Sequence, residues 1–442
     1  MAKRKALKEK NGVRFDNNRR KLRTGETYDK YNGYVYRWTD QSGKRHAVYA
    51  DTLEELREKE VKVTVDEHDG IKKDTNNRTV NDIYELWKQL KRGVKDSTMQ
   101  NYIYIYDMFV APALGKMKLT QVKKSDVKRF YNTLIEKKDL KISTIDGIHN
   151  VLHQVFQVAV DDSLIRMNPT EKVLSELKRA YAGDTEKRKA LTLEQQNLFL
   201  DFLKEDPRFN RWLPVFYVMV FTGMRVGEIT GLQWRDVDLD SRTVTVNHTL
   251  VYYNHRDERG CYFSINTPKT KAGERVIPMT EGVRDAFLLE KKYQEETGIS
   301  CSCSIDGYDD FIFVNRFGDV HHQASLNRVL HRAMRECNLK VLEKGEKDPV
   351  LLPPFSCHVL RHTFATRLAE SGVSPRTLMD LMGHADISTS MNIYVTLSEE
   401  FKKKELEAFE KYVTNTDNGG KGPIAGKNEK DNNGDNIQEA AS

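Results

Sequence analysis

The sequence has few cysteines and no long apolar run. Its 442 residues include five cysteines, an odd number without a CxxC pair, which argues against a disulfide framework and suits a reducing compartment. No segment approaches the ~20 consecutive apolar residues that cross a bilayer. The basic N-terminus is not followed by an apolar stretch of secretory type, so we expect a cytoplasmic protein with no membrane partner.

Motifs for two common forms of phosphate chemistry are also absent from the sequence. It contains no GxxxxGK[ST] loop for a nucleotide and no acidic cluster of the kind that holds two metal ions. Cys301 and Cys303 could contribute to a metal site, but no second Cys or His pair stands at ligand spacing. We therefore expect no cofactor and no metal.

The chain is long enough for about three domains, at roughly 150 residues each, and its charge is unevenly distributed. Residues 1–24 contain ten Lys or Arg and two acidic residues, whereas the net charge of the whole chain is +6. Such a basic cluster suits a polyanion, because each neutralised phosphate releases condensed counterions. A solvated basic tail would have the same composition, so the cluster alone identifies no partner.

Residues 1–70 predict a small β-sheet followed by a helix. Residues 34–39 and 46–50 are aromatic and β-branched and flank a turn-rich segment, so we expect a hairpin. Thr52 begins a sequence with the spacing of a capping box and should open a helix that runs to about Val65.

From about residue 78 to 170 the pattern changes to helices. Apolar residues recur at three-to-four spacing behind Ser or Thr residues that could serve as caps. Pro112 should close the second helix, and Asn168-Pro169 should end the last. We predict a compact bundle of four or five helices, with segments at Val80–Leu90, Ser97–Ala111, Ser125–Lys137 and Ser143–Leu164.

Polar segments flank this bundle at residues 69–77 and 170–190, and each predicts a linker. Basic side chains of the bundle could face phosphates, although solvated helix faces would carry the same residues. These side chains belong to Lys123, Lys124, Lys128, Arg129, Lys137 and Lys138.

A third domain, from about residue 188 to 413, mixes a few strands with a majority of helices. The strands are predicted at Thr243–Tyr253, Phe263–Thr267 and Arg275–Met279, and the first helices at Leu193–Glu205, Trp212–Phe221 and Glu281–Glu296. Residues 414–442 have almost no large apolar residue and should be disordered. The predicted fold class is multidomain α+β, with a small β-sheet-plus-helix N-terminal domain, a helical bundle and a mixed, mainly α domain that contains a small antiparallel sheet.

Two motifs of the third domain place cations at turns. Arg225 lies between glycines in TGMRVGE at the start of a helix, where a guanidinium can grip phosphate oxygens and Glu228 could orient it. The segment TPKTKAGER joins two strands as a basic hairpin, on which Lys269 or Lys271 could act as a general acid. Taken alone, the first motif is better explained by an ordinary ion pair at a helix start, and basic turns like the second are common on protein surfaces.

Three further motifs follow toward the C-terminus. His358 and Arg361 lie three residues apart near a helix start and should emerge on one face. Gly383 is typical of a helix stop and leaves His384 at a turn. Tyr394 follows ten residues later, and its ordinary pKa near 10 makes it a poor nucleophile unless a base and cations assist it.

The order and spacing of these motifs resemble the catalytic signature of the tyrosine recombinases, the phage integrase family. The stretches TGMRVGEITGLQW, HVLRHTFATRLAESG and LMGHADISTSMNIY carry the resemblance, which extends over about residues 78–413. Within the family the chain is similar to integrases of conjugative transposons and related phages of Gram-positive bacteria, which carry an N-terminal arm-binding domain like residues 1–70.

The resemblance implies a site-specific recombinase that integrates and excises a mobile element through a 3′-phosphotyrosine. Tyr394 would be the nucleophile, while Arg225, Arg361 and His384 would stabilise charge on the phosphate. His358 would accept the tyrosine proton. Lys269, preferred to Lys271 only because it matches the family's Lys-Thr pattern, would protonate the leaving oxygen.

The resemblance also implies the partners. Double-stranded DNA would bind at core sites through residues 78–170 and the catalytic domain at 188–413, and at arm sites through residues 1–70. Four protomers would assemble on DNA, with an accessory excision factor and a host DNA-bending protein as further partners. The segment Ser398–Val413 has apolar residues at near-helical spacing, and we expect it to dock on a neighbouring protomer.

Three other functions stay open on the sequence. A catalytically silent DNA-binding architectural or regulatory protein could keep this fold, although the presence of all six candidate residues argues against it. A relaxing topoisomerase could use the same tyrosine chemistry. A metal-dependent nuclease could use His321, His322, His358 and His384, and activity in excess chelator would exclude it.

Overall fold

The structure is a computed structural model that describes most of the chain. The described residues are 8–10, 13–16, 18–29, 33–39, 43–68, 77–181, 189–268, 273–395, 403, 406, 407, 409 and 410. The chain divides into two compact units, residues 1–186 and 187–442. Within the described ranges, none of the helices combines the length and the apolarity required to span a bilayer.

The N-terminal part of the first unit is a small sheet covered by one helix. Strands β3 (Glu26–Asp29), β4 (Gly33–Thr39) and β5 (Arg45–Ala50) form an antiparallel sheet in that order, and β1 (Lys8–Lys10) pairs with β2 (Val13–Phe15). Helix α1 (Leu53–His68) buries its first turns against the three-stranded sheet. The predicted hairpin and helix are confirmed, and α1 runs one turn beyond the predicted end.

The rest of the first unit is a helical bundle, as predicted. Its helices are α2 (Val80–Leu90), α3 (Asp96–Ile105), α4 (Lys124–Lys138), α5 (Ile142–Asp161) and α6 (Val173–Ala180). Apolar side chains of every helix but α3 are fully buried in one core, and α3 packs against that core from its edge. Thr79 caps α2 in a capping box with Asp82, which explains why this helix begins where the sequence predicts.

Three details of the bundle differ from the prediction. Pro112 does not close a helix, because the helix continues past it as a π-helical stretch, Tyr106–Gly115. Helices α3, α4 and α5 have lysine rather than Ser or Thr at the N-cap, so the predicted caps lie inside the helices. The predicted linker 170–190 contains helix α6, because Val173 and Leu174 are apolar and buried in the bundle core.

The second unit surrounds helix α8 (Leu213–Thr222), which is apolar on all sides. It packs against α7 (Leu193–Glu205), α10 (Glu281–Thr297) and α12 (Cys357–Glu370). Further helices of this unit are α9 (Val226–Thr230), α11 (Gln323–Glu343), α13 (Pro375–Met382) and α14 (Ile387–Val395). Because α8 lies at the centre, its C-terminal end is brought directly beside α12.

The strands of the second unit form two small antiparallel sheets. One has the order β10 (Arg275–Pro278), β7 (Thr243–Val246), β6 (Val237–Asp238), and the other pairs β8 (Thr249–Asn254) with β9 (Cys261–Asn266). The predicted strand 243–253 is therefore broken where buried His248 turns inward and its Nε2 contacts the Gly231 carbonyl at 2.5 Å.

The basic segment between β9 and β10 is not a hairpin, contrary to the prediction. Because β9 pairs with β8 and β10 pairs with β7, the segment connects two different sheets. Lys269 and Lys271 lie outside the described residues. Two further predictions also fall outside the described residues. They are the linker at 69–77, except for residue 77, and the disordered tail at 414–442.

Candidate active site

Arg225 lies at the junction of α8 and α9. The chain turns at Gly223, which ends α8 with a φ of 61°, and a Cβ added there would meet the Phe364 ring at 2.3 Å. Glu228, one turn into α9, accepts hydrogen bonds from the Arg225 backbone N–H and from its Nη1, both at 2.8 Å. The Arg225 side chain remains 42% exposed, so part of its guanidinium faces solvent.

Arg361 projects from α12 into the same region but is buried, with 5% of its surface exposed. Its Nη1 donates to the Gly223 carbonyl and its Nη2 to the Met382 carbonyl, both at 2.6 Å. Burial, and then the positive charge of Arg225, lower the pKa of Arg361. An anion beside this pair of guanidinium groups would favour the charged form of Arg361 and so offset both effects.

Helix α13 ends in three successive carbonyls that each accept a hydrogen bond from a different arginine. Arg275 Nε donates to the Leu381 carbonyl at 2.8 Å, Arg361 to Met382, and Arg225 Nη2 to Gly383 at 3.3 Å. The last carbonyls of a helix have no partner within it and carry partial negative charge, so cations suit this position. The end of α13 thereby draws the arginines together.

His384 follows directly, after Gly383 has ended α13 in the left-handed conformation with φ 61°. Its Nδ1 lies 2.9 Å from the hydroxyl of buried Ser390. Burial and the charges of Arg361 and Arg225 lower the pKa of His384 to about 4, so the ring is neutral at pH 7. A neutral ring whose Nδ1 accepts from Ser390 carries its proton on Nε2, where it can donate to a further acceptor.

His358 and Arg361 occupy different environments, although the sequence predicts one shared face. His358 is exposed in the first turn of α12, and its ring meets the ring of His362 edge-on with centroids 4.8 Å apart. Arg361 lies one turn further along the helix and is buried because α8 packs there.

Tyr394 lies on α14, in a small apolar cluster with Ala365, Ala369 and Leu378. Its phenol donates a hydrogen bond to the Val373 carbonyl, and burial raises its pKa. Val373 precedes the first turn of α13, whereas the three arginines hold the last. The eight-residue helix rises about 12 Å, so the phenol and the guanidinium groups lie at opposite ends of it.

The structure therefore brings Arg225, Arg361 and His384 together and places Tyr394 apart from them. Sequence reasoning missed Arg275, whose guanidinium pairs with buried Glu228 and reaches the same helix end. A signal was present, because strand alternation puts Arg275 on the same face as buried Ile277. A charged residue on an inward face of a strand predicts a buried partner.

Metal ligands are not grouped in the part of the chain that the structure describes. There, no three His, Cys, Asp or Glu side chains lie together as a potential metal site. The Cys301 and Cys303 sulfurs lie 3.8 Å apart, and all five cysteines are free thiols.

Comparison with known proteins identifies the family. Residues 189–400 match the phage integrase family, residues 79–135 a phage integrase N-terminal SAM-like domain, and residues 10–67 the DNA-binding domain of Tn916 integrase. The chain is 30% identical over 414 residues to the transposase from transposon Tn916 of Enterococcus faecalis, an alignment that covers 90% of this chain and 97% of that protein. The chain belongs to the phage integrase family.

Two further relatives agree with this assignment. The integrase is 25% identical to a XerC-like tyrosine recombinase of Caldanaerobacter subterraneus, over 83% of this chain and 92% of the relative. A solved structure of the Tn1549 transposon integrase in complex with transposon right end DNA matches with a TM-score of 0.64 and 28% identity, over 75% of this chain and 99% of that one. The predicted family and fold class are confirmed, and the integrase is a site-specific tyrosine recombinase of a mobile element.

Proposed function

We propose that the integrase cleaves one DNA strand by in-line attack of the Tyr394 phenol on a phosphodiester. The new bond joins the tyrosine oxygen to phosphorus, and the bond to the 5′ oxygen breaks, which leaves a 3′-phosphotyrosine and a 5′-hydroxyl. Attack by a 5′-hydroxyl of another strand then restores a phosphodiester and releases Tyr394. The number of phosphoester bonds is conserved, so the exchange needs no ATP.

The observation that supports this proposal is the convergence of Arg225, Arg361 and His384 at the C-terminal end of α13. A phosphodiester carries one negative charge and gains a second in the pentavalent transition state. Two guanidinium groups and the Nε2–H of a neutral His384 would stabilise that charge with donors that are already in place. Arg225, with its half-exposed side chain, would make the first contact with DNA.

We propose that two further residues move protons. His358, exposed at the start of α12, would accept the proton of Tyr394, and Lys269 would protonate the departing 5′ oxygen. Both roles come from the family signature in the sequence. Lys271 is the alternative to Lys269, and exchanging each lysine singly would distinguish them.

Tyr394 would have to leave Val373 before it can attack. Helix α14 follows His384 after only two residues, Ala385 and Asp386, so a rotation of α14 about this short connection would carry the phenol along α13 toward the arginines. We propose that assembly on DNA drives this rotation, which would keep the free protein from cutting DNA.

Double-stranded DNA is the proposed substrate, with core sites bound by the bundle and the second unit, and arm sites bound by the N-terminal sheet. The related Tn1549 integrase was solved with transposon DNA, which supports DNA as the ligand here. Exposed lysines of α4, Lys137 and Lys138, would contact phosphates. Lys128 is less available, because it pairs with Glu176 at 2.6 Å.

Assembly of four protomers on DNA is a further part of the proposal. The described residues of the segment 398–413 are helical and exposed, and they include Leu406 and Phe409, which are three residues apart and about two-thirds exposed. This apolar pair would dock on a neighbouring protomer. An accessory excision factor, a host DNA-bending protein and a cytoplasmic location complete the proposed setting.

Strand exchange in chelator tests the proposed function. The substrate would be a circular junction DNA with the joined ends of the mobile element, incubated with a target duplex in excess EDTA. The proposal expects sequence-specific recombinant joints. Relaxation of supercoiled DNA without joints would favour a topoisomerase, DNA binding without any cleavage would favour an architectural protein, and activity lost in EDTA would favour a metal-dependent nuclease.

A further inference from the structure

We propose that Arg275 is a positioning residue for the strand cleavage described above, and the proposal rests on that function. Arg275 would hold Glu228, and through it Arg225, while also fixing the end of α13 that carries His384. It would touch neither DNA nor the reacting atoms. Its contribution would be the placement of the groups that do.

The contacts of Arg275 use its whole guanidinium fork. Nη2 lies 2.7 Å from Glu228 Oε2, Nη1 lies 3.2 Å from Glu228 Oε1, and Nε donates to the Leu381 carbonyl at 2.8 Å. Only 5% of the Arg275 side chain and 4% of the Glu228 side chain are exposed. Replacing a buried ion pair by apolar side chains is often neutral for stability, so stability alone does not account for this arrangement.

Glu228 connects Arg275 to Arg225. Its Oε1 accepts from Nη1 of both arginines, and its Oε2 accepts from Arg275 Nη2 and from the Arg225 backbone N–H. Without Arg275, the buried carboxylate would keep Arg225 as its one remaining charged partner among these contacts. Arg225 would then be drawn toward Glu228 and away from an incoming phosphate.

Helix α13 connects Arg275 to His384. Leu381 is the first of the three carbonyls that arginines hold, and the hydrogen bonds from Gly383 N–H to Asp380 and from His384 N–H to Met379 close the same turn. Loss of the contact to Leu381 would loosen this turn. A displacement of about 1 Å at a catalytic group can cost about a hundredfold in rate.

A second arginine–glutamate pair in the same unit, whose arginine side chain is 24% exposed, provides a control. Arg211 Nη1 and Nη2 lie 2.5 and 2.9 Å from the oxygens of Glu290, which is fully buried. This pair joins the short 3-10 turn that precedes α8 to α10, and neither residue bonds to the end of α13. Arg211→Ala therefore removes a similar ion pair without touching the proposed cleavage site.

The experiment compares full-length wild type with Arg275→Ala, Arg275→Lys and Arg211→Ala. It measures DNA affinity, the single-turnover rate of covalent adduct formation on a nicked substrate, and hydrogen exchange of residues 381–395 without DNA. For Arg275→Ala we expect a rate about a hundredfold lower, with DNA affinity within about twofold of wild type. The cleavage rate of Arg275→Lys should lie between those of wild type and Arg275→Ala, because one ammonium can replace only part of the guanidinium fork.

Arg211→Ala should cleave within about twofold of wild type at a temperature where it is folded. The rate of hydrogen exchange at residues 381–384 should rise in Arg275→Ala but not in Arg211→Ala. Wild-type cleavage by Arg275→Ala, an equal loss in Arg211→Ala, or a loss confined to DNA affinity would overturn the proposal. If Arg275→Ala does not fold, a wild-type rate in Arg275→Lys would overturn it.

The exchange measurement separates this proposal from the proposed function. If wild type forms no adduct, the proposed cleavage is wrong, and the exchange data still test Arg275. Unchanged exchange at residues 381–384 in Arg275→Ala would then show that Arg275 does not position this turn.

Discussion

The phenol of Tyr394 donates a hydrogen bond to the backbone carbonyl of Val373, at the opposite end of α13 from the carbonyls that Arg225 and Arg361 hold. The guanidinium cluster is thus assembled while the proposed nucleophile is held away from it. Burial raises the pKa of Tyr394, so in this position the phenol stays protonated and unreactive. This separation would account for how the free protein carries an assembled cluster of Arg225, Arg361 and His384 without cutting DNA.

The turn at Gly223 should be sensitive to a single methyl group. Gly223→Ala adds a Cβ 2.3 Å from the Phe364 ring at a φ of 61°, so we expect the free energy of unfolding to fall by about 2–4 kcal/mol, from left-handed strain plus overpacking. The matched control is Gly298→Ala, which has a φ of 69° and open space around the added carbon. Gly298→Ala should lower the free energy of unfolding, measured in urea, by about 1–2 kcal/mol. Equal losses would contradict the packing argument.

Arg361 should matter to both stability and cleavage. Lysine in its place cannot donate to the Gly223 and Met382 carbonyls with the same geometry, so Arg361→Lys should lower stability by about 1–3 kcal/mol. The cleavage rate should fall about a hundred- to thousandfold, as when one preorganised donor is removed. Arg284→Lys is the control, because Arg284 Nε donates to the Leu239 carbonyl away from this cluster. Cleavage by Arg361→Lys at the rate of this control would contradict the proposed role.

The orientation of His384 should depend on Ser390. Ser390→Ala removes the partner of Nδ1, so the ring loses the contact that fixes its tautomer. One hydrogen bond is worth about 1 kcal/mol, so we expect single-turnover cleavage to slow about five- to tenfold. Ser388→Ala, on the exposed side of the same helix, should cleave like wild type.

Stability should fall as the pH is lowered from about 6.5 to 4. The pKa of His384 is lowered to about 4 by burial and by its arginine neighbours, and that of His321 to about 4 by burial and Arg211. Because the unfolded chain takes up these protons first, the contribution of both histidines is complete above pH 6.5 and is lost as the pH falls through 4.

Replacement of either histidine tests this pH dependence. In His384→Gln the loss of stability between pH 7 and pH 4 should be smaller than in wild type by about 1–2 kcal/mol, because the half-buried ring is partly screened by solvent. Exposed His331 on α11 supplies the control, His331→Gln, which should follow the wild-type curve. Parallel curves for His384→Gln and wild type would show that His384 does not titrate in this way.

Local signals explain how much of the fold could be predicted. Capping boxes at Thr79 and Thr192 define the starts of α2 and α7, and the sequence predicts the bounds of both helices to the residue. Where the cap is a lysine, as at Lys123, or where a π-helical stretch accommodates Pro112, local rules fail. Those boundaries depend on packing in the bundle core, which a single sequence does not display.

The candidate site divides in the same way, into residues that a local motif indicates and residues whose roles depend on contacts between distant segments. Arg225, Arg361 and His384 could be named because each belongs to a motif with a turn or helix start beside it. Strand alternation could mark Arg275 as a buried charge, but its role could not be predicted, because that role depends on β10 lying beside the end of α13, a contact between distant segments. The position of Tyr394 also depends on packing between segments, because α14 is placed by its contacts with α12 and α13.

The proposed mechanism depends above all on a covalent bond between Tyr394 and DNA. The most direct measurement incubates a nicked suicide substrate with wild type, Tyr394→Phe and the control Tyr293→Phe, and maps the DNA-linked peptide by mass spectrometry. We predict a 3′-linked adduct on the peptide that contains residue 394 for wild type and Tyr293→Phe, and none for Tyr394→Phe. An equal yield from Tyr394→Phe, or an adduct on another peptide, would contradict the account.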